Sequence, residues 1–207
     1  MNLVVIPSVI ENAILSPHLT AEERLDQTRI TIESIKKKIP NSYIVIIEGG
    51  RMTDDITSSF QKFGVDEIFY TNVSGLGKSA GEMELLCSYM SSEFFSQIED
   101  KCNSISKISG RYYLTDEFSF DEDYIIYCTD ISWSGQGACS TRYWKTPGAY
   151  IPTLVSKMLF LRDHINTYVD IEHAFYAQDI IPQDKIIKEK LVGVTGIVSP
   201  FGKLENG

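Results

Sequence analysis

Apolar runs and helical stripes alternate along the first half of the chain. Asn2–Pro7 is a short, continuous apolar run, the pattern of a strand buried on both faces. After a loop over Ser16–Thr20, the stretch Thr20-Ala-Glu-Glu23 has the spacing of a capping box and opens a helix. Leu25, Thr28, Ile32 and Ile35 then recur at helical spacing, and Pro40-Asn41 closes the segment. Tyr43–Ile47 predicts a second buried strand, ended by Glu48-Gly49-Gly50. Asp54–Phe63 predicts a short helix stopped by Gly64, and Glu67–Tyr70 a third strand. A Gly-Lys loop at Gly75–Lys78 precedes a helix from Ala80 to Phe95, and Ser104–Ser109 reads as the next central strand.

This alternation implies an α/β protein with a mostly parallel central sheet flanked by helices. Ligands of such sheets sit beyond the carboxyl ends of the strands. The rule gathers Pro7–Ile10, Glu48, Asn72–Lys78 and Gly110-Arg111 around one crevice. The second half changes character. Tyr124–Asp130 and Ala138–Lys145 are β-rich and joined by the turn-forming Ser132–Gly137. A helix is expected over Ala149–His164, another after Asp170, whose side chain can cap it, and a closing hairpin or strand pair over Ile186–Val198. With no linker or repeat in the pattern, residues 1–207 read as a single domain.

Charge narrows the partners. Lys and Arg number 19 against 28 Asp and Glu, a formal charge of −9 that argues against a general nucleic-acid binder. Local cations are then more telling than the total. Lys78 lies in Gly75-Leu-Gly-Lys-Ser-Ala-Gly-Glu82, and Lys107 and Arg111 lie in Lys107-Ile-Ser-Gly-Arg-Tyr-Tyr-Leu114. Cationic side chains beside tightly turning glycines suit a phosphate group, and Arg can grip one with two hydrogen bonds. The competing reading pairs Lys107 and Arg111 with surface acids such as Asp116 or Glu117. The apolar opening is too short for a signal peptide, and no stretch qualifies as a membrane span. Cys87, Cys102, Cys128 and Cys139 lack Cys-x-x-Cys spacing and read as free buried thiols of a reducing cytosol.

Several stretches together carry a resemblance. Glu23-Arg-Leu-Asp-Gln-Thr28 is followed by Ser34-Ile-Lys-Lys-Lys-Ile-Pro40 and Ile46-Ile-Glu-Gly49. Gly77-Lys-Ser-Ala-Gly-Glu82, Lys107–Leu114, Ser140-Thr-Arg-Tyr143 and Ile171-Glu-His173 complete the series, in order across most of the chain. With that layout the sequence resembles nucleotide-sugar glycosyltransferases of the GT-A fold, notably small transferases of bacteria and large algal viruses. The resemblance implies a nucleotide-sugar-binding half over residues 1–110 and a β-rich acceptor half over residues 111–207. It also implies a nucleotide-diphosphate sugar as donor and a glycan or glycoprotein as acceptor.

Roles follow for particular residues. Lys78, Lys107 and Arg111 would neutralise the leaving diphosphate. Glu48 would accept hydroxyls of the ribose or groups of the base, or else serve as a turn acid, and Ser8 and Glu11 would border the base. Glu82 would either touch the donor, or else complement the helix dipole or hold Lys78. The resemblance places an acid beside the acceptor at Asp170 or Glu172. Asp170 suits the helix cap and Glu172 the general base, with His173 an alternative base. Trp133, Tyr143 and Trp144 would stack on acceptor sugar or pack in the core. Many GT-A enzymes hold a divalent metal, manganese or magnesium, on an Asp-x-Asp after the central strand. Here that position reads Ser109-Gly-Arg111, and Asp121-Glu-Asp123 is either a metal site or a surface turn. No metal ligand is therefore assigned.

Two other functions remain open. A sugar-nucleotide nucleotidyltransferase would want a Gly-rich loop directly after the first strand, where Pro7-Ser-Val-Ile-Glu-Asn12 stands instead. The same loop counts against dinucleotide and methyl-donor folds. A non-catalytic nucleotide-sugar-binding module would bind without turnover.

Overall fold

The computed structural model describes residues 1–11, 19–121, 126, 128–129, 137–187, 192–198 and 203–206. Strand β1 (Asn2–Ser8) leads through α1 (Ala21–Lys38) to β2 (Ser42–Glu48), then through α2 (Asp54–Phe63) to β3 (Glu67–Tyr70). Helices α3 (Lys78–Met90) and α4 (Glu93–Ser96) return the chain to β4 (Ser104–Ile108), followed by β5 (Tyr112–Leu114). The carboxyl half adds β6 (Cys128–Thr129), β7 (Tyr143–Pro147), α5 (Ile151–His164), α6 (Ile171–Ala177), β8 (Ile186–Ile187), β9 (Val194–Val198) and β10 (Lys203–Asn206).

The central sheet has the order β3-β2-β1-β4-β7, parallel except for β7, which runs antiparallel to β4. The chain therefore builds outward from β1 on one side, then crosses to its other side at β4. A topological switch point lies between the carboxyl ends of β1 and β4, where α/β sheets open a crevice. Both faces are covered. Leu3 and Val5 point into a core shared with Leu85, Leu154 and Phe175, whereas Val4 and Ile6 meet Ile32, Ile35 and Phe60. Burial on alternate sides explains why these strands read as unbroken apolar runs.

Local chemistry sets the ends of the elements. Thr20 accepts from the Glu23 amide at 3.1 Å while Glu23 accepts from the Thr20 amide at 2.7 Å, so the capping box forms in full. Gly64 ends α2 in the left-handed region at φ 69°, a conformation costly for residues with a Cβ. The helix expected to continue to Phe95 breaks at Ser91, and Ser92 caps the short α4 by accepting from the Phe95 amide. The expected strand over Ala138–Lys145 begins only at Tyr143.

The closing pair also differs from expectation. β8 pairs in parallel with β6, and β9 lies between β5 and β10 in a separate antiparallel sheet. Neither β5 nor its pairing with β9 was legible in the sequence, because a strand as short as Tyr112–Leu114 carries too little period to register. Most of Tyr124–Asp130, and Ser132–Gln136 with it, lies outside the described residues.

Candidate functional site: a cationic crevice at the switch point

A half-open pocket lies where the sheet order reverses. Pro7–Ile10 at the end of β1 form one side and Ser109–Arg111 at the end of β4 another. Helix α3 supplies Lys78, Glu82 and Leu85, and α1 supplies Arg24 and Thr28. The walls are tied together by backbone. Gly110 N–H donates to the Pro7 carbonyl at 3.4 Å, and Thr28 Oγ1 donates to the Gly110 carbonyl at 3.2 Å. Thr31 Oγ1 reaches the Tyr112 carbonyl at 2.6 Å, so one polar stripe of α1 holds the whole turn after β4.

That stripe adds two residues that had no assigned role. Arg24 and Thr28 are buried, and the Arg24 guanidinium donates to the Val9 carbonyl at 2.9 Å, holding the loop after β1. Arg24 and Arg111 are close enough to repel. Burial, and next the Arg111 charge, lower the pKa of Arg24, while the Glu48 carboxylate acts in the opposite sense. A signal was present, since Arg24, Thr28 and Thr31 fall at helical spacing on the face that carries Ile35. Polar groups on a buried stripe need partners, and here the partners form the site.

Arg111 has an unusual freedom. Its Nη1 is buried without a hydrogen-bond partner, and among the described residues the side chain makes no ion pair. Asp116, the surface acid that could have taken it, is held by Lys37 and Lys38 at 3.3 and 2.8 Å. Lys78 is exposed and opens α3 after Gly77, which supplies no side-chain cap, and the first turn carries no acid. By contrast α1 and α2 open with Thr caps and acidic pairs. The start of α3 thus presents amide hydrogens and a lysine to the crevice that Arg24 and Arg111 also face. Gly75 adopts φ 120°, which lets the loop turn into α3.

Lys107 is placed otherwise. It is 0% exposed, and its ammonium contacts Glu82 Oε1, Ser109 Oγ and the Thr141 carbonyl. Three partners fill the three donors of an ammonium, so Lys107 stands beneath the crevice and has no hydrogen left for a phosphate. The expected phosphate contact of Lys107 is thus replaced by an ion pair with Glu82, and the expected pairing of Glu82 with Lys78 gives way to the same bond.

Glu48 is buried too. Its Oε1 accepts from the Ile10 amide at 2.9 Å and the Gly50 amide at 2.8 Å, clipping the loops after β1 and β2 together. Burial raises its pKa, although both amides, the Ser8 hydroxyl and Arg24 pull it down. A Cβ on Gly50 would come within 2.8 Å of that carboxylate, which accounts for the glycine. Glu48 does not line the pocket. Ser8 does, and Glu11 is exposed outside it.

The acids of α6 lie beyond α3. Asp170 is the helix cap, accepting from the His173 amide at 2.9 Å, and it also meets His173 Nδ1 at 2.6 Å. Glu172 Oε1 accepts from Thr141 Oγ1 at 2.8 Å. Burial and then Glu82 raise the Glu172 pKa, with Lys78 and Thr141 opposing. Glu172 is therefore in electrostatic reach of two crevice residues. The Ile171 amide donates to Ser79 Oγ at 3.2 Å, pinning the start of α6 to the start of α3.

The aromatic expectation changes. Tyr143 and Trp144 are 2% and 0% exposed, Tyr143 edge-on to Phe118 and Trp144 tilted against Phe175. Both are core residues on β7, an edge strand whose two sides are each covered by a hydrophobic core, and neither offers a face to an acceptor. Trp133 lies outside the described residues. Nor does a divalent metal fit the described crevice. Ser109-Gly110-Arg111 and Arg24 put cations where carboxylates would be required, and among the described residues no group of three or more His, Cys, Asp or Glu side chains converges. Of Asp121-Glu122-Asp123 only Asp121 is described, and its carbonyl accepts from Lys145. Cys87, Cys102, Cys128 and Cys139 are buried free thiols, with burial pushing Cys87 up to about 12 and Cys102 up to about 11. Among the described residues no helix is long and apolar enough to cross a membrane.

No protein-family model matches the chain, and no curated protein sequence matches it.

Proposed function

We propose that the protein is a GT-A-like glycosyltransferase that moves a sugar from a nucleotide-diphosphate donor to a glycan acceptor. One observation carries this reading: a buried, unpartnered Arg111 nitrogen shares the switch-point crevice with Arg24 and Lys78. A dianionic group is what such a cluster would stabilise. The ordered resemblance in the sequence supplies the sugar nucleotide as the form that group takes.

In this mechanism Arg111 and Lys78 hold the diphosphate, with the uncapped first turn of α3 adding amide donors. Arg24 keeps the loop after β1 in place while adding positive potential. Glu172 takes the proton of the acceptor hydroxyl as its oxygen bonds to the anomeric carbon. The bond from that carbon to the diphosphate oxygen breaks, its electron pair leaves with the nucleoside diphosphate, and the configuration inverts. A carboxylate with a raised pKa is a better base for this step, as burial and Glu82 make Glu172. The four buried free thiols fit a reducing, cytoplasmic setting.

The test is release of nucleoside diphosphate from UDP-, GDP-, CDP- and dTDP-sugars in the presence of mixed glycan acceptors. Turnover of one donor class, lost in Glu172→Gln with donor binding kept, is expected. Donor binding with no turnover in the wild type would replace the enzyme by a binding module. Absence of both would end the reading.

A further inference from the structure

Beneath the crevice, two carboxylates from different helices meet opposite ends of a two-residue link. Glu82 of α3 accepts at Oε1 from the Lys107 ammonium, which also donates to the Thr141 carbonyl. Thr141 in turn donates its hydroxyl to Glu172 Oε1 at 2.8 Å. One residue, Thr141, therefore links the cation that holds Glu82 to the carboxylate of Glu172. The link is well buried, with Lys107 at 0% and the Glu82 side chain at 16% exposure. Opposite charges held this way cost desolvation and need full hydrogen bonding to persist, which Ser109 Oγ at 2.8 Å completes.

We propose that Glu82 is a positioning residue for Glu172: the hydrogen-bonded link through Lys107 and Thr141 holds the two carboxylates as one unit, so a change at Glu82 is passed on to Glu172. The inference rests on Glu172 being the base, but the coupling itself requires no substrate. The surroundings agree. Glu172 faces Glu82 and Lys78 from α3, has Asp170 and His173 on its own helix, and meets Thr141 ahead of β7. Asp170 and His173 pair with each other, which leaves Glu82 as the acid whose charge reaches Glu172, with Lys78 opposing it from the exposed side. Like charge at short range favours the protonated form. Glu82 lines the crevice while Glu172 does not, so the pair also connects the donor pocket to the base.

The experiment is a carbon NMR titration of side-chain carboxylates in glutamate-labelled protein, with the Glu172 resonance identified by its loss in Glu172→Gln. In Glu82→Gln the Glu172 midpoint should fall by about one pH unit, as expected for loss of a nearby like charge. In Thr141→Val the midpoint should rise, because a hydrogen bond to the ionised form is gone. Opposite signs at two sites are not what general loosening of the fold would give. Should Glu82→Gln fail to fold with Lys107 left unpaired, Glu82→Gln/Lys107→Met is compared with Lys107→Met, which isolates the Glu82 charge, and the midpoint should be lower in the double variant. An unchanged Glu172 midpoint in the folded variant lacking Glu82 would overturn the proposal. If the shifts appear but no sugar is transferred, the coupled pair stands and the transferase reading falls.

Discussion

The floor of the crevice and its mouth both carry cations, and the two regions handle them differently. On the floor, Lys107 has a carboxylate, a hydroxyl and a carbonyl around its ammonium. At the mouth, Arg111 keeps a buried nitrogen without a partner, and Lys78 stands exposed at a helix start that lacks a side-chain cap. The same strand end supplies both Lys107 and Arg111, so proximity in sequence does not decide the role. What decides it is whether the donors of each cation are already satisfied. A satisfied cation organises the fold, whereas an unsatisfied one in a pocket is available to a ligand.

Breaking the floor should have the largest effect. Lys107→Met leaves Glu82 as a half-buried charge without its partner and should cost up to about 3 kcal/mol in urea unfolding. Adding Glu82→Gln should recover most of that loss. If the single variant were as stable as wild type, Lys107 would not be the organising cation.

At the mouth the order reverses, with binding affected more than stability. Arg111→Ala should weaken nucleoside diphosphate binding roughly tenfold to a hundredfold, since a charge-assisted hydrogen bond is worth about 1.5–3 kcal/mol. Its urea midpoint should barely move. A fall in stability without a fall in affinity would place Arg111 with Lys107 instead.

Glu48 sharpens the comparison through pH. Its folded pKa is raised, so its contribution to stability is complete below the unfolded value and is lost as pH rises through the folded one. Glu48→Gln keeps an oxygen for the Ile10 and Gly50 amides but cannot ionise. The variant should therefore gain on the wild type as pH rises above the usual glutamate value of about 4 in denaturation series. Parallel stability curves would show that the carboxylate is compensated.

The smallest effect belongs to Lys78→Ala, a loss of about 0.3–1 kcal/mol in diphosphate affinity that shrinks with added salt, because the side chain is exposed. A salt-independent loss would mean a buried contact.

The first half of the fold was legible because each signal there is local. The Thr20–Glu23 capping box, Gly64 after α2 and the apolar runs of β1 and β2 each act within one turn or one strand. Grouping β1, β4 and the Gly-Lys loop around one crevice followed from their order alone. The division of labour among the cations was not legible. It depends on Glu82, Ser109 and Thr141 meeting Lys107 across three segments, and on Asp116 being held by Lys37 and Lys38 rather than by Arg111. Tyr143 and Trp144 stayed open between sugar and core for a related reason. An aromatic pair beside a glycine-rich turn suits a sugar as well as a core, and only the pairing of β7 with β4 buries them. Arg24 lies at helical spacing from Thr28 and Thr31, but nothing in the sequence marks its partner, because the loop it holds follows β1.

The most direct measurement is calorimetric titration of UDP, GDP, CDP and dTDP into the wild type and Arg111→Ala, with EDTA present throughout. One diphosphate should bind the wild type, with affinity at least roughly tenfold lower in the variant. Binding that is equal in the two proteins, or that appears only when manganese replaces EDTA, would contradict a diphosphate site built from the cations of this crevice.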